Sequence, residues 1–123
     1  MTTILLAIKP EFADKILSTQ KKFEFRRIIP RKPIDRIVIY ATKPIARVVG
    51  MVNVCGIISG TPDYVWQITQ KNAGITQDFF DSYFYGRNTA YAYKLGKVTK
   101  YDTAKSLSDF GLRAAPQSFV YLD

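Results

Sequence analysis

The segment Lys21-Lys22-Phe23-Glu24-Phe25-Arg26-Arg27 carries the densest concentration of groups able to do chemistry. Its apolar and charged residues alternate with period two. A strand here would turn Phe23 and Phe25 inward and gather Lys22, Glu24 and Arg26 on the opposite face. Surface ladders of this kind are common and each ion pair is worth under about 1 kcal/mol, so a charged face alone needs no function. The composition argues for more. Glu24 is one of only two glutamates in the chain, and it stands inside a run of cations. A carboxylate so placed stays ionised and can accept hydrogen bonds from the amino edge of a base while the cations hold phosphate.

The rest of the composition limits the chemistry further. The 123 residues include no histidine and a single cysteine, Cys55. Zinc sites, His-based triads and internal disulfides are therefore excluded, and any reaction must use Lys, Arg, Tyr, Ser, Thr or a carboxylate. Neither a G-x-G-x-x-G nor a Walker motif is present, so no cofactor is expected. The formal charge is +8, and it is unevenly placed: residues 1–50 hold 11 basic and 4 acidic groups. A concentrated positive field on a small domain favours a polyanionic partner, most often nucleic acid. No apolar run approaches the roughly 20 residues of a membrane span, and the N-terminus lacks signal-peptide features, so a cytoplasmic location without a membrane partner is expected.

The elements that must position the charged segment can be read from the pattern. Ile4 to Ile8 is a strand closed by Lys9-Pro10, and a helix follows, with Pro10 in its first turn and Phe12, Ile16 and Leu17 on one apolar stripe. The charged strand comes next. Pro30 and Pro33 frame a basic loop, Arg36 to Ala41 is a strand, and Ala46 to Ile58 is a long β-rich run in which Gly50 and Gly56 mark bulges. Thr61-Pro62 caps one helix, Thr76 starts a second, and Gly74 and Gly86 end them. Tyr91 to Lys100 and Ser118 to Leu122 are strands, with a single helical turn at Ser106 to Phe110. The sum is one α+β domain over residues 1–123. It has about six strands in a curved sheet, a helix after the first strand and helices inserted in mid-chain.

Other residues are candidates by position. Lys9 follows the first strand, and Thr42, Lys43 and Arg47 lie at the end of another strand and beyond it, where barrels expose functional groups. Tyr91 and Tyr93 present hydroxyls on one strand face and could stack on bases, as could Tyr83, whereas Phe79, Phe80, Phe84 and Trp66 read as core. Cys55, inside an apolar strand, reads as a buried, inert thiol.

Lys21, Glu24 and Arg26, directly after a first helix, resemble the G-x-K-x-x-E-x-R signature of the ASCH family of the PUA-like superfamily, with Thr19 at the glycine position. The resemblance implies a small pseudo-barrel whose cleft beside the first helix binds RNA or a modified nucleoside. One branch of the family contains amidohydrolases acting on N4-acetylcytidine. Lys21 matches their essential lysine, Glu24 stands where they have threonine, and no glutamate follows it to match their downstream catalytic one. Asp63, Asp78 and Asp81 are the possible substitutes. Other ASCH proteins are ribonucleases.

The leading expectation is a module that binds RNA or a nucleotide through Lys21, Lys22, Glu24, Arg26 and Arg27, with Lys9, Thr42, Lys43 and Arg47 as further contacts. The alternative is a metal-independent amidohydrolase or ribonuclease using Lys21 and Glu24. A third reading is a protein-interaction module whose basic face docks an acidic partner.

Overall fold

Each strand of the computed structural model, which describes residues 1–122, is placed by local signals visible in the chain. Pro10 cannot continue the ladder of β1 (Thr3–Ile8), and its fixed φ suits the first turn of α1 (Pro10–Leu17). That helix ends on Thr19, which adopts a left-handed φ of 67°. This is the position at which the ASCH signature has glycine, and the turn keeps the conformation glycine adopts freely while carrying a β-branched side chain. The chain then enters β2 (Phe23–Arg26), β3 (Arg36–Ala41) and β4 (Arg47–Gly60). An excursion of two helices, α2 (Pro62–Thr69) and α3 (Gln77–Tyr83), precedes β5 (Ala90–Lys105) and the short closing strand β6 (Phe119–Tyr121). Thr61 and Thr76 cap the two helices, their hydroxyls accepting from the amides of Tyr64 and Phe79 at 3.2 and 3.1 Å.

The strands form one curled sheet in the order β2-β5-β4-β3-β1-β6, antiparallel except for the β1–β3 pair. Curvature comes from the long β4–β5 ladder, whose register shifts three times, between Val48 and Gly50, Val52 and Val54, and Val54 and Gly56. A side chain at Gly50 would lie 2.5 Å from the Thr99 carbonyl and 2.7 Å from Leu17, so glycine lets β4 pass under α1. The α+β arrangement around a curved sheet expected from the strand and helix order is the architecture found, and the sheet curls into a half-barrel.

The central strands β1 and β3 are buried on both faces. Ile4, Leu6, Ile37 and Ile39 pack with Ile16 of α1, while Leu5, Val38, Tyr40 and Val48 pack beneath Leu107, Phe110 and Leu112 of the C-terminal segment. A further cluster of Phe25, Val65, Phe80, Phe84 and Ala92 fixes the helical excursion on β2 and β5. No helix among the described residues is long and apolar enough to cross a membrane.

Two readings of the sequence need correction. Cys55 is exposed, because β3 pairs with β4 only as far as Asn53 and the bulges beyond it leave Cys55 on an uncovered stretch. The charged segment is also a shorter strand than its alternation predicts. The Lys21 amide donates to Lys15 O and the Lys22 amide to Asn72 O, so the first two residues precede β2. Lys22 consequently points to solvent, Lys21 is buried, and Glu24 and Phe25 are both buried despite lying on opposite faces.

Candidate functional site

A cleft of about 340 Å³ opens where the end of β1, the start of α1, strand β2 and helix α3 meet. Its size is that of a small-ligand site. Lys21, Glu24 and Arg26 form the floor, Lys9 and Arg27 stand at the rim, and Phe12, Phe79 and Tyr83 supply an aromatic wall.

The floor is built from buried charge. Lys21 is 2% exposed, and its Nζ donates to the Ala73 carbonyl at 2.7 Å. The ammonium also lies over two rings, 4.7 Å from the centroid of Phe25 and 5.5 Å from that of Phe12. Gly74 makes room for this side chain: a Cβ there would be 2.5 Å from the Cβ of Lys21, and its φ of 69° favours glycine. Burial lowers the Lys21 pKa to about 8, the negative charge of Glu24 opposes the shift, and Lys15 and Arg26 add to it. Lys21 therefore gives up its proton more readily than an exposed lysine does.

Glu24 and Arg26 are two residues apart on β2. The Nε of Arg26 donates to Glu24 Oε2 at 3.0 Å, and the Arg26 guanidinium comes within 2.8 Å of the same oxygen. Its Nη2 also donates to the Ala7 carbonyl of β1 at 2.9 Å. Since β2 is one edge of the sheet and β1 lies near the other, Arg26 clasps the half-barrel across its open seam. Among the described residues Glu24 Oε1 accepts no hydrogen bond, which leaves one carboxylate oxygen to meet a ligand.

The rim combines cations with rings. Lys9 Nζ lies 5.3 Å from the centroid of Phe79, and the Arg27 guanidinium lies 4.6 Å from that of Tyr83. Phe79 and Tyr83, one helical turn apart on α3, are nearly parallel at 14°, while Phe12 meets Phe79 edge-on. Such a wall sets π-faces next to positive charge.

These positions sort the sequence candidates. The fold brings together Lys9, Lys21, Glu24, Arg26 and Arg27 around one cleft. Lys22, Thr42, Lys43 and Arg47 lie outside its lining, and Arg47 spends a donor on the Ala46 carbonyl. Asp63, Asp78 and Asp81 do not line it either, so among the described residues Glu24 is its one carboxylate. Phe79 reads as core from its helical spacing but belongs to the cleft wall, and Phe12 joins it there. No signal in the sequence separates Phe79 from its buried neighbour Phe80, because only the placement of α3 against α1 decides which ring faces the opening.

No family model matches the chain. The crystal structure of ASCH from Zymomonas mobilis superposes with a TM-score of 0.90 at 29% identity, covering 98% of this chain and 87% of that one. In sequence and fold the chain resembles the ASCH domains. Among curated relatives, the ASCH domain-containing ribonuclease of Zymomonas mobilis is 35% identical over 92 residues, which are 74% of this chain and 62% of the relative. Two proteins of Ureaplasma parvum also match over 121 residues, the ATP synthase subunit alpha at 26% and the large ribosomal subunit protein uL22 at 27% identity. The chain spans only 15% and 39% of their respective lengths.

Proposed function

We propose that the cleft binds a nucleotide of single-stranded RNA. Its base packs against the wall of Phe79 and Tyr83 and presents an amino edge to Glu24 Oε1, while Lys9 and Arg27 turn toward the phosphate. The observation that carries this reading is the lining itself: four cations, one buried carboxylate with a free oxygen and four aromatic rings around a single opening. The Zymomonas relative named a ribonuclease supports RNA as the ligand.

A second reading, cleavage of the bound strand, rests on the lowered pKa of Lys21. In metal-independent cleavage the 2′-oxygen attacks phosphorus and the P–O5′ bond breaks, leaving a cyclic 2′,3′-phosphate and a 5′-hydroxyl. In this mode Glu24 Oε1 faces the 2′-hydroxyl instead of the base and takes its proton, Lys21 donates one to the departing 5′-oxygen, and Arg26 offsets charge on the phosphorane. An amine that titrates near 8 is matched to that donation.

Both readings are tested by incubating labelled RNA, and DNA of the same sequence, with the protein and its Lys21→Met variant in a metal chelator. Retention of RNA on the protein supports binding, and RNA cut to cyclic phosphate ends by the wild type alone, with DNA left intact, supports cleavage. RNA bound but uncut would remove the second reading. RNA neither bound nor cut, with cytidine released from N4-acetylcytidine, would replace both with the amidohydrolase.

A further inference from the structure

The loop that leaves β2 lines a second cavity, of about 280 Å³, on its far side. Pro30, Pro33, Gly56 and Ile57 make it largely apolar, Arg31 and Lys32 stand in its lining, and no acidic residue does. A side chain at Gly56 would meet nothing within 4 Å, and Ile57 is 45% exposed, so β4 offers an open apolar floor.

Two features connect this cavity to the cleft. The connecting segment is short: Arg26 and Arg27 line the cleft, and the second cavity's lining begins at Ile29. Tyr93 forms the other link. It lines the second cavity while standing opposite Glu24 in the β2–β5 register. Tyr93 is 2% exposed, and its hydroxyl has no hydrogen-bond partner among the described residues. Burial pushes its pKa up to about 12, so the hydroxyl keeps its proton and remains a donor. A buried donor without an acceptor costs free energy that a ligand bringing an acceptor recovers.

We infer that the second cavity receives the base of the neighbouring nucleotide in the same RNA strand, so that the protein engages a dinucleotide step. The inference rests on the reading of the first cleft as an RNA site. Apolar walls suit the faces of a base, and the Arg31 and Lys32 rim suits the phosphate that follows it. Charge complementarity and continuity through residues 26–29 both favour the same strand as the occupant.

The test compares the four ribonucleoside 5′-monophosphates with the four 5′-phosphorylated homodinucleotides, by calorimetric titration of the wild type, Gly56→Leu and Arg31→Ala/Lys32→Ala proteins, each checked for folding by circular dichroism. Gly56→Leu adds an apolar side chain at a lining position where a Cβ meets nothing within 4 Å, and the double variant changes only the basic rim. At least one dinucleotide is expected to bind the wild type about tenfold more tightly than its mononucleotide, the worth of one stacked base. Both variants should lose most of that gain and keep the mononucleotide affinity. Mononucleotide binding with no dinucleotide gain in the wild type, or a gain that survives in both variants, overturns the inference and leaves the cleft reading standing. Failure of every mononucleotide and dinucleotide to bind the wild type overturns the cleft reading and the inference with it.

Discussion

Two basic stretches, residues 21–27 and residues 43–47, look alike as charge but are handled in opposite ways by the fold. The first is drawn inward: Lys21 and Glu24 are nearly inaccessible, and Arg26 is committed to Glu24 and to the Ala7 carbonyl. In the second, Lys43 and Arg47 stay in solvent, and Arg47 donates only to the adjacent carbonyl. Desolvating a cation is expensive, so a fold that does so must surround it with acceptors, rings and an opposite charge. Lys21 has all three, which sets its stretch apart from the other. Charge density gives no such distinction.

The comparison can be broken most directly at Glu24. Glu24→Ala leaves the Arg26 guanidinium largely buried without its counter-charge and is expected to cost about 3 kcal/mol in urea unfolding, whereas Arg47→Ala should stay within about 0.5 kcal/mol. Equal effects would show the two stretches to be equivalent. The pH dependence of stability gives a second contrast of nearly the same size. Folding lowers the Lys21 pKa from 10.5 to about 8, so between these values the unfolded chain binds more protons than the folded one and stability rises with pH. The wild type should therefore gain up to about 3 kcal/mol relative to Lys21→Met between pH 7.5 and 10.5, read by urea unfolding at each pH.

In RNA binding, Arg27→Ala, which removes a phosphate contact at the rim, is expected to weaken affinity by about 10- to 100-fold, the worth of a charged hydrogen bond, in filter-retention titrations at fixed salt. Lys43→Ala and Arg47→Ala should leave it nearly unchanged. The smallest contrast is conformational, because each stretch has a non-glycine residue at positive φ nearby, Thr19 at 67° and Ala46 at 53°. Thr19→Gly should raise stability by about 1 kcal/mol in thermal unfolding, and Ala46→Gly by less, since the β-branched residue is the more strained in that region.

Much of the fold is legible in the chain because its punctuation is local. Pro10, Thr61 and Thr76 start helices, Gly74 and Gly86 follow them, and Gly50 and Gly56 sit at register shifts, all readable without tertiary information. The site was legible in part. The spacing of Lys21, Glu24 and Arg26 gave the floor, but which lysine of the adjacent pair turns inward depends on the Lys15 and Asn72 carbonyls that hold their amides. The aromatic wall was hidden for a similar reason. Phe79 and Phe80 are neighbours of one type on one helix, and only the docking of α3 opposite Phe12 separates them. Cys55 was misread because an apolar strand sequence does not reveal where its neighbouring strand stops.

The Arg26 clasp has a consequence for how the protein coexists with copies of itself. An open sheet has two edges, and β6, only three residues long, covers β1 opposite Ile4, Leu5 and Leu6, with one further bond from the Ala7 amide to Ser118 O. The Ala7 carbonyl is the next acceptor along that edge, and exposed rows of backbone groups are templates for strand addition by another chain. By occupying this acceptor with a side chain from the opposite edge, Arg26 withholds it from a second molecule. Losing that guanidinium would convert the seam of the half-barrel into a site of edge-to-edge self-association.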